Sequence, residues 1–424
     1  MVACRRRGWK FDEVTPAALF LCGDMLKRGK AVWTVGSVFG AISLFVCSAV
    51  VCAQDAPPLS AKISMAKEEY LAGEPVYVHF EVTNTGKDAV QYSTGDPYSD
   101  ACGGYVLRVS NGTSNSGSGN APVSCGPRVN PECHGSSQIL APGETERQNI
   151  LVNFAHDLSQ PGEYEIDAVR TLKYSPVTGE TILPSDAKTF RFESKLKIHL
   201  LHGDKDSLQR IYDVYVRNLR SSDEDIQRDA QRAIVSGAPP WLEETIEGML
   251  RRYTSREFAL LGLKNLNTAR SREELAKIVK DTSELTPENE AAVTYLAEMG
   301  DKQYFPMVLE IAKKVPASEG VNYVMAAAEL GGDDAVPYLQ GLLASKDAAT
   351  RSMAVTALGK TGSRAAVPVL IDSMKGTKDP EFLKLAGSAM TELTHQSMQA
   401  EKWQGWWDDQ GKGAKIYGEK DCGK

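Results

Sequence analysis

The sequence predicts a two-module chain, an all-β sandwich followed by an all-α superhelix of stacked helix pairs. Gly300, Gly331 and Gly362 recur at a fixed step of 31 residues, and Pro306, Pro337 and Pro368 keep the same step. Apolar residues hold equivalent places around them, with Val293, Val324 and Val355 before each glycine and Val308, Leu339 and Leu370 after each proline. A period near thirty is that of two-helix units, each able to bury its apolar face only against its neighbours. Upstream the periodicity changes. Val76, Val78, Phe80 and Val82 alternate with Tyr77, His79, Glu81 and Thr83, as in a half-buried strand.

A chain of 424 residues has room for two ordinary domains and a targeting segment, and 42% hydrophobic with 24% charged residues is a globular composition. Net charge is −7; the first 53 residues carry seven basic and three acidic groups, leaving 41 against 52, or −11, for the rest. An acidic body without a clustered basic surface argues against a nucleic-acid partner.

Residues 1–53 read as a secretory signal peptide. Lys27, Arg28 and Lys30 precede an uncharged run from Ala31 to Val51, and a small residue closes Val51-Cys52-Ala53, placing the cut after Ala53. The 24 residues before Met25 are atypical of such a signal, so Met25 is the expected true start. The alternative is a retained membrane anchor over 31–51, since that run is long enough to span a bilayer. Interruptions at Thr34, Gly36, Ser37, Gly40, Ser43 and Ser48 favour cleavage. The expected location is therefore periplasmic or secreted. Cysteine usage agrees with export. Cys102, Cys125 and Cys133 fall in a loop-rich stretch, where an oxidising compartment favours one disulfide of undetermined pairing. A metal site formed from these three with His134 is the alternative, but the spacing lacks the close ligand pairs of zinc sites.

Residues 58–200 form the strand module. After 76–83 and the Asn84-Thr85-Gly86-Lys87 turn, short strands are expected around 90–92, 105–109, 150–152, 164–169 and 190–198, with a long Gly/Ser/Asn-rich insertion from Ser110 to Ser137. Tyr70-Leu71-Ala72-Gly73-Glu74-Pro75-Val76 and Pro161-Gly162-Glu163-Tyr164 resemble the second-strand turn and the late-strand lead-in of bacterial immunoglobulin-like domains. The resemblance implies two packed antiparallel sheets, with Tyr164 fixing a corner.

Residues 204–400 read as the helical module, in units of about 224–255, 256–288, 289–320, 321–349 and 350–380 plus a half-repeat from Glu381. Helix starts are expected at Ser271-Arg272-Glu273-Glu274 as a capping box, and at Thr286-Pro287 and Asp379-Pro380. Acidic pairs Glu243-Glu244 and Glu273-Glu274 suit first turns. Ala354-Val355-Thr356-Ala357-Leu358-Gly359 and Ala365-Ala366-Val367-Pro368-Val369-Leu370 resemble the short alanine-rich HEAT units also found in phycobilin-lyase-like proteins. The resemblance implies a curved, armadillo-like stack whose concave face binds other proteins. It supplies no motif onto which a chromophore-attaching activity can be carried.

No zinc-binding helix, nucleophile elbow, phosphate loop or dinucleotide fingerprint occurs, and no cofactor is expected. Residues 401–424 form a Trp-rich end. Trp403, Trp406 and Trp407 share one helical face, either as a lid on the last repeat or as an aromatic shelf for a ligand. The expected function is non-catalytic, a protein-interaction or scaffolding role in the cell envelope. Alternatives are an enzyme site at the junction of the modules near His199, His202 and Trp241, and a glycan-binding protein using exposed aromatics.

Overall fold

The computed structural model describes residues 57–93, 104–111, 137–177, 183–281, 285–316 and 319–417. Its strands are β1 (Leu59–Met65), β2 (Glu69–Leu71), β3 (Tyr77–Asn84), β4 (Val90–Ser93), β5 (Tyr105–Ser110), β6 (Ser137–Leu140), β7 (Thr145–Leu151), β8 (Gly162–Pro176) and β9 (Lys188–Leu201). One sheet has the order β1-β3-β7. The other runs β2-β9-β8-β4-β6, with β5 added beside the first half of β8. Pairings are antiparallel except β2 with β9, which is parallel.

The alternating residues of β3 point into the core between the sheets, where Val78 and Phe80 meet Ile150, Ile166, Ala168 and Ile198. Two sheets enclosing one core make up the β domain expected ahead of the helices. Its corner is also present: the Tyr164 hydroxyl, at the start of β8, donates back to the Gln160 carbonyl at 3.0 Å. The two apolar clusters are accompanied by a buried charge. Arg170, 1% exposed, makes a two-pronged pair with Glu146 (2.6 and 3.3 Å) and lies over the Tyr105 ring at 4.6 Å. A buried guanidinium persists only with such compensation.

The helical module begins with α1 (Lys205–Asn218). Pairs follow: α2 (Glu224–Gly237) with α3 (Glu243–Met249), α4 (Arg256–Leu266) with α5 (Ala269–Lys280), α6 (Pro287–Met299) with α7 (Phe305–Lys314), α8 (Val321–Gly331) with α9 (Val336–Leu343), α10 (Ala348–Lys360) with α11 (Ala366–Met374), and α12 (Pro380–Thr394) with α13 (Trp403–Asp409). The first helices of successive pairs pack on one another as a continuous layer, and the second helices touch each other more sparsely. Small residues permit the close approach. A Cβ on Gly262 would lie 3.0 Å from Val235 Cγ1, and one on Gly359 would lie 3.0 Å from the Ala389 backbone.

Thr286 and Asp379 cap α6 and α12 as expected. The start expected at Ser271 is corrected: α5 begins at Ala269 under Thr268, and Ser271 is the reciprocal third-position partner of that capping box. The cause is Asn267, whose left-handed φ of 50° ends α4 and turns the chain at once. Glu273-Glu274 therefore lie beyond the first turn. The repeated glycines also divide by role. Gly300 and Gly362 take left-handed φ of 70° and 59°, whereas Gly331 is the last residue of α8 and Gly332 turns the chain. Gly331 is needed instead for space, because a Cβ there would sit 2.3 Å from the Phe305 ring.

The sandwich docks on α1 and α2. Tyr77 donates to the Asp229 carbonyl at 2.8 Å, and Tyr212 donates to the Gly73 carbonyl at 3.0 Å. A Cβ on Gly237 would lie 1.8 Å from the Tyr212 hydroxyl. Gly237→Ala should therefore push that hydroxyl off Gly73 and cost about 1–3 kcal/mol in urea unfolding. In a Tyr212→Phe background the same change should cost less, since the clash falls chiefly on the hydroxyl oxygen.

Candidate interaction surface and interdomain cleft

The repeat step selects which residues of the inner layer reach solvent. Three rows, each stepping by 31, are partly or fully exposed on α6, α8, α10 and α12. The first comprises Glu290, Val321, Ser352 and Leu383. The second comprises Thr294, Met325, Thr356 and Gly387, and the third Glu298, Glu329, Lys360 and Thr391. The middle row is uncharged, and its hydroxyls are turned inward: Thr294 donates to Glu290 O (2.8 Å) and Thr356 to Ser352 O (3.2 Å). The third row is charged at three of its four positions and laced across helices. Lys264 on α4 pairs with Glu298 and lies 5.2 Å from the Tyr295 ring centre, and Lys360 pairs with Glu329 at 3.6 Å. In the first row, Asn322 donates to Glu290 at 3.0 Å.

At its C-terminal end this face deepens into a groove of about 740 Å³ between α12 and residues 397–401, floored by Leu383, Gly387, Ser388 and Thr391 and walled by Met398 and Glu401. The floor hydroxyls are again spent on their own helix, Ser388 on Lys384 O and Thr391 on Gly387 O.

The tryptophans lie elsewhere. Trp403 is fully buried in the solenoid core, and Trp406 and Trp407 are partly buried against it. Trp406 meets Trp403 edge-on at 5.6 Å. The chain beyond them is tied down by Arg364, which donates to the carbonyls of Gly411, Lys412 and Ala414. The Tyr417 amide donates to Leu393 O at 2.9 Å, and its ring stacks on His395 at 3.7 Å.

Where the modules meet there is a cleft of about 400 Å³, lined by the 153–159 segment of the sandwich, Gly73, the end of α2 and Asn265. His199, His202 and Trp241 do not line it. His199 and His202 are exposed, and His199 lies 3.5 Å from Glu163. Trp241 packs against the helical core, edge-on to Tyr212 at 6.4 Å. The polar residues that do line the cleft (Asn153, His156, Asp157, Ser159, Ser236, Asn265) carry no sequence signal, because they come from unrelated segments with no motif between them.

Beside the cleft, Asn149 reaches Asp229 at 3.4 Å, and Arg232 lies 3.6 Å from the same side chain. Burial raises the Asp229 carboxyl above its usual range, a tendency that these two partners oppose.

Cys102, Cys125, Cys133, His134, the signal segment with its cut after Ala53, and Cys422 lie outside the described residues. Among the described residues no cluster of metal-ligating side chains occurs, and no helix is long and apolar enough to cross a membrane.

Residues 321–391, from α8 to within α12, match the family model of HEAT repeats. No curated protein matches the chain. Among solved structures, an engineered protein is similar at 18% identity over 43% of this chain and 95% of its own, with a TM-score of 0.27. The complex of CpcE and CpcF of phycocyanin lyase from Nostoc sp. is 18% identical over 47% of this chain and 82% of that one, with a TM-score of 0.29. Trypsin-activated alpha-2-macroglobulin from Escherichia coli is 12% identical over 83% of this chain and 28% of that one, with a TM-score of 0.18. The helical-repeat assignment rests on the family match and on the helix pairs themselves.

Trp403→Ala should cost about 3–5 kcal/mol, read as a lowered melting temperature, because it empties a buried indole site. For Asp229 the raised folded pKa means that ionisation costs stability as pH rises from the unfolded value through the folded one. Asp229→Asn retains an acceptor for Asn149. Its melting temperature should gain on the wild type between pH 4 and pH 7, and a gain that shrank with rising pH would contradict the assignment.

Proposed function

We propose that this chain is a non-catalytic protein-interaction or scaffolding protein that holds an extended segment of a partner across the inner helices of its solenoid. The carrying observation is the three rows of equivalent exposed positions on α6, α8, α10 and α12. A stack in which one layer is spaced more closely curves toward that layer, so these rows line the inner surface. Such a surface offers a partner one uncharged track, Thr294-Met325-Thr356-Gly387, beside a row that carries Glu298, Glu329 and Lys360. Burial of apolar side chains along the track would supply affinity, and the charged row would supply register and orientation. HEAT repeats are a protein-binding architecture, which supports the reading.

Export belongs to the same proposal. The basic, apolar and small-residue parts of residues 27–53 support removal of the leader after Ala53 and a place in the periplasm or outside the cell. The Trp403–Trp407 segment acts as the lid of the last repeat, supported by the burial of Trp403.

Affinity capture from a native envelope extract, with mass spectrometry of what is retained, tests this proposal when wild type is compared with Thr356→Trp. The tryptophan fills the uncharged track. The expected result is an unchanged melting temperature, loss of the retained partner, and a mature chain beginning at Gln54. Equal retention by both proteins would refute the inner-surface reading.

A further inference from the structure

The cleft between the modules is chemically distinct from the inner surface. We propose that it is a binding site for a small neutral polyol, of the size of a monosaccharide or disaccharide. Its volume of about 400 Å³ lies within the range of small-molecule sites.

The lining groups determine the class of ligand. His156 Nε2 meets the Leu107 carbonyl at 3.2 Å, and a carbonyl only accepts, so Nε2 carries the proton. In the neutral ring Nδ1 is then an acceptor. Burial lowers the imidazole's pKa and holds it in that neutral form at pH 7. Asp157 is a carboxylate with one oxygen receiving the Ser159 amide at 2.9 Å. Asn265 commits its amide nitrogen to the Val235 carbonyl at 2.9 Å, which leaves its oxygen as an acceptor. The Ser236 hydroxyl is buried and has no hydrogen-bond partner among the described residues. Phe154, 36% exposed, adds an apolar ring face.

The set is rich in acceptors. Among the described residues that line it, Asp157 carries the one formal charge, and none is Lys or Arg. The C-terminal end of α2 lies here as well, at Ser236 and Gly237, and its carbonyl end is the negative pole of the helix. An anionic ligand is therefore disfavoured. A compact cation would find a single exposed carboxylate and a neutral imidazole, too little to replace its hydration. A polyol matches every group. Its hydroxyls donate to His156 Nδ1, Asp157 and Asn265 Oδ1, one of its oxygens receives the Ser236 proton, and its C–H face lies on Phe154.

The test is calorimetric titration of the full chain with glucose, N-acetylglucosamine and maltose as neutral probes, glucuronate as the anionic probe and glucosamine as the cationic one. At least one neutral probe should bind saturably and about tenfold more tightly than glucuronate, the loss expected when a carboxylate meets Asp157. Asp157→Asn and Ser236→Ala should each weaken that probe by about three- to tenfold without moving the melting temperature. Thr356→Trp should leave it unchanged, so this result stands or falls apart from the inner-surface reading. Failure of every neutral probe to saturate at millimolar concentration would overturn the proposal. So would tightest binding by glucosamine, or affinity indifferent to both cleft substitutions.

Discussion

The distance at which one inner helix can approach the next governs the solenoid. At its tightest points, positions 262 and 359, not even a methyl fits without displacement of its neighbours. At that spacing, backbone packs on backbone and dispersion contacts are dense. The inner helices are buried on most of their circumference: on α10, Met353 to Val355 and Ala357 to Gly359 are all buried, and a narrow stripe is left to solvent. Regular spacing turns that stripe into rows. The surface chemistry of the stack is therefore a by-product of its packing, and the 31-residue step that organises the core also sets the pitch of what a partner would meet.

The sandwich is joined to this stack by polar contacts as well as by packing. Tyr77, Asn149 and Gly73 each engage a group on α1 or α2, and the 152–154 turn of the sandwich lies against α2. Burying such groups costs desolvation, which Asp229 registers as a carboxyl less willing to ionise. The return is directional. Hydrogen bonds to particular backbone carbonyls fix one orientation of the modules, whereas apolar packing alone would allow several. The cleft is a consequence of that fixed orientation, because its walls come from both modules.

The fold class could be read from the sequence because both modules repeat a pattern, and the positions that broke a pattern were those that went astray. Strand β3 is plain because three of its inward residues, Val78, Phe80 and Val82, are β-branched or aromatic. β1 also alternates, as Leu59, Ala61, Ile63 and Met65, but alanine and methionine blunt the contrast and the strand was missed. The glycine series falls at helix ends. However, a one-dimensional pattern cannot distinguish Gly331, which makes room for Phe305, from Gly300, which turns the chain. The capping box at Ser271 failed because two overlapping caps compete there, and the left-handed turn at Asn267 decided for Thr268. Of the candidate sites, the inner rows follow from the repeat once the exposed phase of each helix is known. The cleft does not, since His156, Ser236 and Asn265 are brought together only by the docking of one module on another.

Arg364 bears on how the last described helix pair is covered. A pile of identical units has no intrinsic reason to stop growing, and an uncovered last unit presents the same adhesive side that each earlier unit offered to its successor. By gathering three carbonyls of residues 411–414 onto one guanidinium, Arg364 holds that segment against the last helix pair. Releasing those three hydrogen bonds would loosen the cover over Trp406, Trp407 and Ile416, and the apolar side they protect would meet water.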